Sequence, residues 1–126
     1  MVTIILISLP FYTICEMSRH MYGIYGEHTQ EACPLYNEQN RKWILASLPN
    51  QEKNAQKYGV RFLQQFHSGQ EHTFLWVVEA ENAQSVEDLM ARTAGRFNTL
   101  KIVPLITYQE LIERLKQVEN GTFFES

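Results

Sequence analysis

Cysteine is scarce in this sequence of 126 residues: Cys15 and Cys33 are the only two. They form no CxxC pair and no zinc-finger spacing, which argues against a thioredoxin-type centre and a structural zinc module. A disulfide between them stays open as an alternative, but a reduced chain in the cytoplasm is the simpler reading. Basic runs are missing too. Eleven Lys and Arg stand against fourteen Asp and Glu, for a net charge of −3, and no basic run exceeds Arg41-Lys42. Nucleic-acid binding needs a basic face for the phosphates, so that class is set aside. The sequence also lacks a nucleophile elbow, a phosphate-binding loop and a complete metal motif. Its longest apolar stretch, Met1 to Cys15, contains Pro10 and is too short to span a membrane. That stretch lacks the basic start and cleavage site of a signal peptide, and we expect residues 1–16 to be a non-native extension. An uncleaved export signal and an extra edge strand are the alternatives.

What is present is an ordinary globular composition, 44% hydrophobic and 20% charged, in a length that suits one core. Residues 17–119 form the expected domain and 120–126 a tail. The densest β-prone run is His72-Thr-Phe-Leu-Trp-Val-Val-Glu-Ala80. Phe74, Trp76 and Val78 alternate with Leu75 and Val77, so both faces are apolar. Such a strand belongs in the interior of its sheet.

Around it the chain reads in a regular order. His20 to Glu27 is a first strand, with Gly23 and Gly26 marking close approach of a neighbour. A helix starts at Pro34 and runs to about Tyr58, buried through Ile44, Leu48, Ala55 and Tyr58 and broken near Ser47 to Pro49. Val60 to His67 is a second strand, and a tight connection leads into the central one. Symmetric pairing across that turn sets His67 opposite His72. Asn82 caps a helix ending near Gly95. Thr99 to Ile106 is a strand that Pro104 confines to an edge or a bulge. Thr107 and Glu110 form a capping box before a last helix buried through Leu111, Leu115 and Val118.

This β-α-β-β-α-β succession plus a helix predicts an α+β protein of the ferredoxin-like type, with sheet order 4-1-3-2. Two helices cover one face of such a sheet. The other face, apolar on the first and third strands, calls for a partner, and a homodimer closing into a dimeric α+β barrel is the economical solution.

The segments Gly26-Glu-His-Thr29, Cys33-Pro-Leu-Tyr-Asn37, Lys57-Tyr-Gly-Val60, Glu71-His72 through Val78-Glu-Ala80, and Lys101-Ile-Val-Pro104 resemble small proteins of the dimeric α+β barrel superfamily. The resemblance runs from about Met21 to Leu115. It implies kinship with muconolactone isomerase-like enzymes, cofactor-free monooxygenases and small metal-binding proteins. No catalytic set of those enzymes maps residue by residue onto this chain.

The topology brings His28, His67 and His72 to one rim of the sheet, with Cys33 at the helix entry nearby. Imidazoles and a thiolate suit a divalent transition metal such as nickel, zinc or copper. The blander alternative makes His67 and His72 solvated flanks of a hairpin and His28 a loop residue bonding the backbone. Cys33, at a helix entry, is also a candidate thiolate centre. A ligand pocket lined by Tyr25, His28, Phe74 and Trp76 is the second candidate, against plain packing of the aromatics. Glu27 and Glu79 interrupt apolar strands and are candidate bases. The expectation is a small-ligand or metal-binding homodimer. The competing functions are a cofactor-free isomerase or monooxygenase with a histidine as acid/base, and a regulatory dimerisation module.

Overall fold

Strand pairing dominates the architecture. The computed structural model describes residues 19–122, so the expectations for residues 1–16, for Cys15 and for the end of the tail lie outside it. Four strands, β1 (His20–Glu27), β2 (Arg61–Ser68), β3 (Thr73–Ala80) and β4 (Thr99–Leu105), form one antiparallel sheet in the order β2-β3-β1-β4. The helices are α1 (Glu38–Ser47), α2 (Gln51–Lys57), α3 (Ala83–Ala91) and α4 (Tyr108–Glu119). The protein is therefore α+β, with β1 and β3 in the interior and Pro104 on an edge strand, where its missing N–H costs no ladder bond.

Alternation along the strands sorts the sheet into two faces. Tyr22, Ile24, Phe74, Val78 and Ala80 are buried on one face, where they meet Ala55 of α2 and Val86, Leu89 and Met90 of α3. Tyr25, Leu75 and Phe66, which are cross-strand neighbours, point to the other. There Tyr25 is 43% exposed and Phe66 55% exposed. Gly26 is required by the packing: a Cβ at that position would overlap the ring of Phe74, its partner on β3.

Several sequence expectations are corrected. The helix does not begin at Pro34. Residues after Cys33 turn, and Asn37 is the true N-cap, its side chain accepting from the N–H of Asn40 at 2.9 Å. The break at Pro49 is a 3-10 turn, Leu48–Asn50, that splits the span into α1 and α2. Leu48 is exposed rather than core, because that turn rotates it off the buried stripe. Asn82 and the Thr107/Glu110 box do cap α3 and α4. Yet α4 buries none of its residues, and Leu111, Leu115 and Val118 lie exposed along an amphipathic face. Among the described residues no helix is long and apolar enough to cross a membrane.

Candidate metal centre

The ladders of β1 end at Glu27, which pairs with Thr73 on one side and Thr99 on the other. One step further along both registers, His28 falls between His72 and Asn98. The N–H of His28 donates to the carbonyl of His72 at 3.0 Å, extending the ladder past the strand end. On the other flank, Nδ1 of His28 lies 2.8 Å from Oδ1 of Asn98.

The Asn98 amide is oriented, because its Nδ2 donates to the Ala94 carbonyl at 2.8 Å and a carbonyl only accepts. Oδ1 therefore faces His28 as an acceptor and fixes the imidazole proton on Nδ1. Nε2 is left as a bare lone pair. It is buried and, among the described residues, has no hydrogen-bond partner; the same holds for Nδ1 of His72. Leaving two buried ring nitrogens unmatched costs about 1–3 kcal/mol each.

The thiol of Cys33 belongs to the same cluster, 0% exposed and free of any disulfide. Its loop is strapped to the start of α1. The N–H groups of Tyr36 and Asn37 donate to the Cys33 carbonyl at 2.9 and 2.7 Å, and Nδ2 of Asn40 donates to the Ala32 carbonyl at 2.8 Å. The ligating atoms of His28, Cys33 and His72 all lie within 4.8 Å of one another. Tetrahedral zinc with ordinary bond lengths wants donors about 3.4–3.6 Å apart, so the cluster is on the scale of such a site.

His72 holds its place at a cost. Its φ is 57°, the left-handed region that a residue with a Cβ seldom adopts. This corrects the expected hairpin. The connection takes four residues, Ser68 pairs with Thr73, and His67 pairs with Phe74 instead of His72. Being in the turn frees His72 from the strand's alternation and lets it reach His28.

A family model described as a domain of unknown function, DUF3303, matches residues 30–119. The chain belongs to the DUF3303 family. Among solved structures it is similar to a conserved Bacteroides thetaiotaomicron protein of unknown function, titled a possible oxidoreductase. That match has 14% identity and a TM-score of 0.41, and covers 69% of this chain and 95% of the other. No curated protein matches. The DUF3303 region takes in Cys33, His67, His72 and Asn98, and begins just after His28.

The remaining candidates of this DUF3303 chain separate. His67 stands outside the ligand cluster, its ring stacked on that of His28 with centroids 5.8 Å apart. Burial of the imidazole lowers its pKa below the usual 6.5, and repulsion from His28 and His72 lowers it further. His28, Phe74 and Trp76 do line one cavity, on the helix-covered face. Tyr25 is not among its walls, because its position in the ladder places it on the opposite face. Glu79 pairs with Arg61 at 2.7 Å, at the far end of the sheet from the cluster, so it is a strand-end ion pair there. Asn98 escaped the sequence reading, although the register that pairs Glu27 with Thr99 puts it beside His28.

Proposed function

We propose that this DUF3303 chain binds a thiophilic transition-metal ion through Nε2 of His28, Sγ of Cys33 and Nδ1 of His72. One observation carries the reading: a histidine whose tautomer is set by Asn98 keeps a bare, buried, unmatched nitrogen and stands in one cluster with a buried thiol and a second histidine that also has an unmatched nitrogen. Metal-bound histidines typically have such an outer partner on the remaining ring nitrogen. Coordination would satisfy both orphaned nitrogens at once. One thiolate with two imidazoles favours zinc or copper over magnesium or calcium, which take oxygen donors. With three protein donors, a tetrahedral ion keeps a fourth position for water or another small ligand, where it acts as a Lewis acid. Binding needs the thiolate, which fits a reducing, cytoplasmic setting. The test is metal analysis of protein purified without chelator, followed by titration of the stripped protein with zinc. One equivalent bound by the wild type and less by His72→Ala is the expected result. Equal uptake by both proteins would overturn the site.

The sheet favours a second reading that is compatible with the first. We infer that the β2-β3-β1-β4 order belongs to a ferredoxin-like arrangement whose open face, bearing exposed Tyr25 and Phe66, meets a second copy of the chain. In such a dimeric α+β barrel the exposed stripe of α4 would also find cover.

A further inference from the structure

Next to His28, the helix-covered face of the sheet holds a cavity of about 330 Å³ whose walls include Pro34 but neither Cys33 nor His72. The cavity opens to solvent, and its walls are mostly apolar and aromatic with a few polar groups, the lining of small-molecule sites. Two ring pairs wall it. Phe62 and Trp76 meet at right angles with centroids 5.4 Å apart, and Trp43 and Phe97 do the same at 6.3 Å. An aromatic lining of this kind offers a further ring a surface to pack against.

The polar lining is mostly committed. Ser47 Oγ donates to the Ile44 carbonyl, Thr93 Oγ1 donates to the Leu89 carbonyl, and Asn98 is engaged at both ends. That leaves, among the described residues, the amides of Gln51 and Gln65, the imidazole of His67 and, in metal-free protein, Nε2 of His28 for an incoming group. Among the described residues no carboxylate, ammonium or guanidinium lines the cavity. Arg96 is held against the ring of Trp43, 4.6 Å from its centroid, and is not part of the lining.

The geometry points to a binding pocket for an uncharged, flat molecule of one or two fused rings bearing a single polar group. The volume sits at the lower end of the range for small-molecule sites, about 300–1,000 Å³, which excludes a dinucleotide or a haem. The missing counter-charge selects against anions, since a carboxylate would be desolvated without a partner. This goes beyond the metal reading and stands without it: His28 is the shared wall, but Cys33 and His72 do not line the cavity.

The probe is 2-naphthol, with 2-naphthoate as its charged counterpart of nearly the same shape, added to chelator-treated protein. The chain's two tryptophans, Trp43 and Trp76, both line the cavity, so intrinsic fluorescence reports occupancy directly. The expected result is saturable quenching by 2-naphthol and at least tenfold weaker quenching by the carboxylate. Ser47→Phe, which fills the cavity, should weaken 2-naphthol at least tenfold, while His72→Ala binds it as the wild type does. Equal affinity for the two probes, or no saturation, would overturn the pocket even if Ser47→Phe fails to fold. Loss in His72→Ala would overturn its independence from the metal cluster. Failure of metal binding alone leaves these outcomes unchanged, so the two readings fall separately.

Discussion

His28 donates from Nδ1 to Oδ1 of Asn98, the residue one step past the last β1–β4 pair, at 2.8 Å. That bond sets which imidazole nitrogen is left free to take a metal. Asn98→Ala should leave the ligands in place and lower metal affinity by roughly 10–100-fold, the usual effect of removing an outer partner. Competition against a chromogenic chelator measures it. An unchanged affinity would show that the imidazole does not depend on Asn98.

The stacked pair of His28 and His67 makes stability depend on pH. Burial first, and repulsion from His28 and His72 second, hold His67 below the usual 6.5. The folded state thus binds fewer protons than the unfolded chain. His67 contributes fully above about 6.5, and the contribution is lost as pH falls through the lower, folded value. Denaturation midpoints of chelator-treated protein should fall on acidification through this window, and His67→Gln should flatten the dependence. An equally steep fall in that variant would contradict the assignment.

Gly26 lies under Phe74 with no room for a methyl group. Gly26→Ala forces the ring or the strand to move, and overpacking of this kind costs about 1–3 kcal/mol. Thermal unfolding should show the loss. Gly59→Ala makes a contrasting case, with open space around the position and strain from φ of +70° instead.

Tyr25 and Phe66 flank Leu75 on the uncovered face. Light scattering should return twice the chain mass of 14.8 kDa, and Phe66→Glu should return the monomer. A soluble, folded wild-type monomer would contradict the second-copy reading.

The fold was legible where pattern and packing agree. The apolar alternation of Phe74 to Val78 marks β3 as interior, and Asn82 and Thr107 mark helix starts because capping is local chemistry. The site was legible only in outline. Topology alone brings His28, His72 and Cys33 near one rim, but the pairing of His67 with Phe74 is not legible, because a left-handed His72 leaves no sequence signal. Once the register is known, adding one step to Glu27–Thr73 and Glu27–Thr99 yields both neighbours of His28. The exposure of α4 is hidden for the opposite reason: its amphipathic stripe is real, but nothing in the described chain covers it.

Cobalt(II) titration tests the central claim most directly, since a thiolate ligand to cobalt produces an intense charge-transfer band that imidazoles alone do not. The stripped wild type should develop that band, together with the visible absorption of a tetrahedral site, saturating at one equivalent per chain. Cys33→Ser should lose the charge-transfer band, and zinc should bleach both features in the wild type. Absence of a thiolate band in the wild type, or its persistence in Cys33→Ser, would contradict a metal centre built on His28, Cys33 and His72.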